Sequence, residues 1–205
     1  MIDAQGQKNA LASLLPPFEL ERRFRLSLAR AHSHFAPKFL IVGDSLAACC
    51  PFRPLSRRPF GLLSLARGGA VLSDIAEQLR CCRGVEASWI VIDGGLNDLM
   101  REAASPERIE RDFHALLDEI PPRAHALFTL MPFVSDASFG AAIDESNRRI
   151  ARACARAGVV AIDLNPELSE GKTRRPEMTD DGLHFSLRAN AIWVDAIRRA
   201  TTSLD

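Results

Sequence analysis

The sequence contains no tyrosine, little lysine and only 6% aromatic residues, and its 26 basic side chains are balanced by 26 acidic ones. A formal net charge of zero excludes a global field that would recruit nucleic acid or an anionic membrane. No apolar run approaches the ~18 residues of a membrane span, so membrane insertion is not expected. The five cysteines form two adjacent pairs, Cys49-Cys50 and Cys81-Cys82, plus Cys154. An odd number without C-x-x-C argues against a disulfide framework and for a reducing compartment. The short apolar stretch Ala10 to Leu15 follows acidic Asp3 and runs into Pro16-Pro17, which makes a poor signal peptide. The expected location is therefore cytoplasmic. Neither a G-x-G-x-x-G fingerprint nor a P-loop is present, which removes the usual nucleotide-cradling loops, and no cofactor is expected. His32 and His34 form an H-x-H without a suitably spaced acidic or cysteine partner, so no metal is expected either.

What the chain does have is alternation. Five apolar runs read as buried strands: Phe39 to Val42, Leu62 to Ala66, Trp89 to Ile92, Ala126 to Leu130 and Val159 to Ile162. Segments of helical spacing lie between them. Leu72, Ile75, Ala76 and Leu79 fall on one face, as do Ile109, Phe113, Leu116, Leu117 and Ile120. Ser105-Pro106 is an N-cap followed by a first-turn proline, which predicts a helix from residue 106. Ser186 is the expected cap of a last helix carrying Trp193, Ala196, Ile197 and Ala200 on one face. Strand and helix in alternation predict an α/β fold, a parallel sheet of about five strands sandwiched between two helical layers. Phe18 to Ala31 reads as an additional helix on the outside of the sheet, and the first dozen residues as disordered. The expected organisation is an N-terminal extension, 1–37, followed by a single domain, 38–205.

In such sheets ligands bind beyond the carboxyl ends of the strands, where loops and helix N-termini gather. Three polar motifs fall there: Gly43-Asp44-Ser45-Leu46 after the first strand, Gly95-Leu96-Asn97-Asp98 after the third, and Asp181-Gly182-Leu183-His184 before the last helix. Each alone has an ordinary explanation as an N-cap, a turn or a surface ion pair. Together they supply a nucleophilic hydroxyl, a base, a group that orients the base and donors for an oxyanion. Ser45 is the candidate nucleophile, His184 the base and Asp181 the orienting carboxylate. Asn97 and the Ser45 N–H are candidate oxyanion donors. Gly68-Gly69, between the second strand and the next helix, allows a backbone N–H to approach a substrate closely, with Gly69 the choice and Gly68 the alternative.

These blocks, in this order, resemble the SGNH (GDSL) hydrolase superfamily over residues 39 to about 200. Met131-Pro132, Asn147 and Ile162-Asp163-Leu164 also look like its punctuation. The resemblance implies a three-layer α/β/α fold and metal-free hydrolysis of a small-molecule acyl ester of short or medium acyl length through an acyl-enzyme. It favours Asp181 over the neighbouring Asp180. Within the superfamily a carbohydrate O-deacetylase, a lysophospholipase and a thioesterase use the same parts, although the shortage of aromatic residues makes a sugar-stacking platform less expected. The family often has an asparagine just before the glycine block, where this chain has Leu65-Ala66. A catalytically silent domain that binds a ligand or partner in the old pocket is the competing reading. Two basic clusters, Arg53, Arg57 and Arg58, and Lys172, Arg174 and Arg175, are expected to favour an anionic substrate if they flank the pocket. The oligomeric state is not legible.

Overall fold

The computed structural model describes residues 17–31 and 35–202, so the first dozen residues and the His32/His34 pair lie outside the described residues. Its centre is a parallel five-stranded sheet in the order β2-β1-β3-β4-β5, with β1 Phe39–Val42, β2 Leu62–Ser64, β3 Trp89–Asp93, β4 His125–Thr129 and β5 Val160–Ile162. Register runs from Phe39 opposite Leu62 on one side to Phe39 opposite Trp89 on the other, and on through Trp89 opposite His125. β1 and β3 are buried along their full length. This is why they read as continuous apolar runs and not as alternating ones.

Helices cover both faces. They are α1 Pro17–Ala31, α2 Ser45–Cys49, α3 Leu72–Cys81, α4 Leu96–Met100, α5 Pro106–Leu117, α6 Gly140–Ala157, α7 Asn165–Leu168 and α8 Leu187–Thr202. The two faces can be followed at β4, where successive residues point opposite ways. Phe128 meets Phe113 of α5 edge-on at 4.6 Å, and Thr129 accepts a 2.8 Å hydrogen bond from Trp193 Nε1 of α8. Phe113, Phe128 and Trp193 are fully buried. Truncating a core aromatic of this kind to alanine typically costs ~3–5 kcal/mol. The periodicities in α3 and α5 are confirmed by the burial of Leu72, Ile75 and Leu79, and of Ile109, Phe113 and Leu116. Ser105 caps α5 by accepting from the Arg108 N–H at 3.3 Å, and Ser186 accepts from the Ala189 N–H at 3.4 Å. α1 packs beside the edge strand β2.

Strand bounds shift by one or two residues from expectation: β2 ends at Ser64, β3 extends to Asp93, β4 covers His125–Thr129 and β5 starts at Val160. An unexpected element is the two-residue antiparallel pair β6 Ser169–Glu170 and β7 Thr173–Arg174. In the strand order 2-1-3-4-5 the direction in which successive strands are added reverses between the parallel neighbours β1 and β3, which opens a crevice at their carboxyl ends. Ser45 follows β1 and Asn97 follows β3, so the fold brings both to this crevice.

Candidate active site

The chain leaves β1 through Gly43, which is required by space: a Cβ here would lie 1.7 Å from Asp93 Oδ1. Asp44 then caps the short helix α2, its Oδ1 accepting the Leu46 N–H at 2.8 Å. Ser45 is thereby placed in the first turn at the crevice. Its Oγ lies 3.0 Å from His184 Nε2, and His184 Nδ1 lies 2.6 Å from Asp181 Oδ2. The other oxygen of Asp181 accepts the N–H groups of Leu183 at 2.9 Å and His184 at 2.7 Å. These contacts, the His184 side chain first, hold the Asp181 carboxyl well below its usual range, so it is an anion facing the imidazole. Asp181, and not Asp180, is the partner of His184.

The loop carrying this pair is fixed at both ends. Thr179 Oγ1 donates to the His184 carbonyl at 2.7 Å and accepts the Gly182 N–H at 2.9 Å, and Ser135 N–H donates to the Gly182 carbonyl at 2.9 Å. Next to it, Phe185 is wedged between Trp193, 5.4 Å away edge-on, and the buried Arg174 guanidinium, 4.8 Å from its ring centroid.

On the opposite wall α4 and the residue after it grip the glycine loop at three points. Asn97 Nδ2 donates to the Ala70 carbonyl at 3.0 Å, Asp98 accepts the Leu72 N–H at 3.2 and 3.1 Å, and Arg101 Nη1 donates to the Gly69 carbonyl at 2.9 Å. Gly69 itself has φ +74°, a conformation open to glycine and strained for other residues. Asn97 Nδ2 also reaches Asp44 Oδ2 at 3.3 Å, so its amide joins the nucleophile turn to the glycine loop. Behind the crevice, Asn147 holds Met131 through both its N–H, 2.9 Å, and its carbonyl, 2.7 Å. Asn165 Oδ1 accepts the Phe133 N–H at 2.8 Å.

Ser45 and Asn97 border a cleft of about 220 Å³ whose apolar wall is Leu46, Leu96, Met100 and Leu183. Among the described residues that line it, the cation is Arg101, four residues beyond Asn97 and directly after the same short helix. The basic clusters marked in the sequence do not line the cleft. Lys172 pairs with Asp144 at 2.7 Å, and Arg174 is buried with its Nε donating to the Phe133 carbonyl at 2.7 Å. Cys49 is exposed and Cys50 buried. Among the described residues no group of three His, Cys, Asp or Glu side chains is arranged to hold a metal, and no helix is long and apolar enough to cross a membrane.

A hydroxyl bonded to an imidazole that is itself held by an ionised carboxylate can lose its proton as it attacks a carbonyl. Comparison with solved structures bears on what such an arrangement belongs to. A GDSL-like lipase from Bacteroides thetaiotaomicron superposes with a TM-score of 0.71 at 15% identity, covering 92% of this chain and 98% of its own. A lipase/acylhydrolase from Enterococcus faecalis gives 0.64 at 18% identity over 80% and 94%. A mutant of an acetyl-xylooligosaccharide esterase from a Geobacillus gives 0.61 at 16% identity over 80% and 93%. At these identities the likeness is one of fold. A search of curated protein sequences finds no match. The sequence model of the GDSL-like lipase/acylhydrolase family matches residues 41–192, from β1 into α8. The chain belongs to the GDSL-like lipase/acylhydrolase family and is an ester hydrolase.

Proposed function

We propose that the protein hydrolyses small acyl esters of short or medium acyl length through an acyl-enzyme formed on Ser45. In the first step Ser45 Oγ adds to the ester carbonyl as its proton passes to His184 Nε2. Asp181 keeps the ring oriented and stabilises the imidazolium. The carbonyl oxygen becomes an oxyanion held by the N–H groups of Ser45 and Gly69 and by the Asn97 amide. Collapse expels the alcohol, which takes the proton from His184. Water then repeats the sequence on the acyl-enzyme, with His184 again as base, and releases the acid.

The observation that carries this reading is the relay of 3.0 Å and 2.6 Å from Ser45 through His184 to Asp181, at the edge of a cleft. Cleft size supports a small substrate, since about 220 Å³ falls below the ~300–1,000 Å³ of sites for drug-sized ligands. Its wall of aliphatic side chains suits an acyl chain, and among the described residues no aromatic side chain borders it to stack on a sugar.

Hydrolysis of p-nitrophenyl esters from acetate to laurate tests the acyl-length claim. The expected kcat/KM is highest among the short and medium esters and falls at laurate. Preference for laurate would contradict the small-cleft reading.

A further inference from the structure

Beneath the nucleophile turn lies an acidic side chain that the reaction above does not use. Asp93, the last residue of β3, is 3% exposed, and its neighbour across the crevice floor, Asp44, is 2% exposed. Both carboxyl oxygens of Asp93 are shielded from solvent and neither makes a hydrogen bond of ordinary geometry among the described residues; the backbone N–H groups of Asp44 and Ala47 approach the carboxyl, but their pull is outweighed by its burial. The side chain within hydrogen-bonding reach is the carboxyl of Asp44. Asp93 and Asp44 both border a gap of about 10 Å³ shared with Thr129, Met131, Phe185 and Trp193, room for about one water and no hydration shell. The ionisable groups facing the pair are Cys50 beside Asp93 and His184 beyond Asp44.

Two buried carboxyls in contact cannot both be ionised at low cost, but with one proton between them they form a hydrogen bond. The oxygens of Asp44 are already committed as acceptors, Oδ1 to the Leu46 N–H at 2.8 Å and Oδ2 to Asn97 Nδ2 at 3.3 Å. Asp44 is therefore the anion, and the proton resides on Asp93. We propose that Asp93 is a positioning residue that carries a proton in the working enzyme and donates it to Asp44, fixing the carboxylate that holds both the Ser45 turn and the Asn97 amide. Burial first, and Asp44 second, push the Asp93 carboxyl well above its ordinary range, which agrees with this assignment. Loss of the proton would place a second negative charge beneath the site where the oxyanion develops and would force the two carboxylates apart. Activity then falls at alkaline pH.

This inference rests on the proposed roles of Ser45 and Asn97, so its test includes a readout independent of hydrolysis. Infrared difference spectra of the wild type and Asp93→Asn should show a protonated-carboxyl band at neutral pH that the variant lacks. Asparagine keeps a donor toward Asp44, so Asp93→Asn should retain neutral-pH kcat to within about threefold, whereas Asp93→Leu should lower kcat about tenfold or more with KM little changed. The wild-type kcat should decline above the apparent pKa of the pair, by about tenfold per pH unit, while Asp93→Asn holds its rate there. Circular dichroism confirms that each variant is folded. Absence of the carboxyl band, an Asp93→Asn pH profile that superimposes on the wild type, or an Asp93→Leu kcat equal to the wild type overturns the proposal. If hydrolysis is absent altogether while the band is present, the reading of Ser45 fails and the shared proton stands.

Discussion

Asp98 holds the Leu72 N–H with both carboxylate oxygens, at 3.2 and 3.1 Å, and so ties the start of α3 to α4, the short helix that carries Asn97. Burial pushes its carboxyl up from 3.8 to about 6, against the opposing pull of the Leu72 N–H. The folded protein thus binds a proton here that the unfolded chain has already released, and this group costs stability progressively as pH rises from 3.8 to about 6. Asp98→Asn removes that dependence. Its unfolding free energy relative to the wild type should rise by up to about 3 kcal/mol across this window, from roughly two pKa units at about 1.36 kcal/mol each. Urea unfolding at pH values spanning the window measures it, and a constant difference would show that Asp98 does not titrate there.

Both amide hydrogens of Asn97 are engaged, since Nδ2 donates to Ala70 at 3.0 Å and to Asp44 at 3.3 Å. The oxyanion is expected to take over the longer of these. Asn97→Ala should lower kcat by ~10²–10³, the usual loss for one oxyanion donor. Steady-state kinetics decide the matter, and a change under about threefold would remove Asn97 from the site.

Gly69 and Gly68 separate the two candidate donors of the glycine loop. A Cβ on Gly69 would meet Arg101 Nη1 at 2.7 Å at a φ of +74°, whereas one on Gly68 makes an ordinary 4.0 Å contact with the Ser45 Cβ. Gly69→Ala should lower kcat about tenfold or more, and Gly68→Ala about threefold or less, because a strained alanine costs ~1–2 kcal/mol and displaces the N–H. The reverse order would assign the donor to Gly68.

Cysteine reactivity should follow burial. Burial pushes the Cys82 and Cys154 thiols up to about 12, and that of Cys50 also rises, again mainly by burial. A thiol-specific reagent should therefore label the exposed Cys49 and Cys81 in the native protein and reach the other three only on unfolding. Fast native labelling of three or more sites would show that the nucleophile turn, the end of α3 or α6 opens.

The parts of the fold that were legible are those in which local chemistry and tertiary burial agree. Phe39–Val42 and Trp89–Asp93 are buried throughout because both sheet faces are covered, and their length excluded a helix. The β6–β7 pair was not legible, because two residues per strand in a polar segment establish no period. At the site, Ser45, Asn97, Asp181 and His184 were found as separate motifs at strand ends. Arg101 was missed because its contact is with a carbonyl 32 positions away, and Asp93 because an aspartate ending an apolar run resembles an ordinary strand terminus. The basic clusters misled for a related reason: charge near a motif in sequence does not say which way the side chain turns, and Arg174 turns into the interior.

The most direct measurement of the central claim is fluorophosphonate labelling, together with ester turnover, of the wild type, Ser45→Ala and His184→Ala, each shown by circular dichroism to be folded. Covalent labelling and hydrolysis by the wild type, with labelling lost in Ser45→Ala and turnover lost in both variants, is the predicted result. A folded wild type that neither labels nor turns over would contradict the account and favour a domain that binds without catalysing.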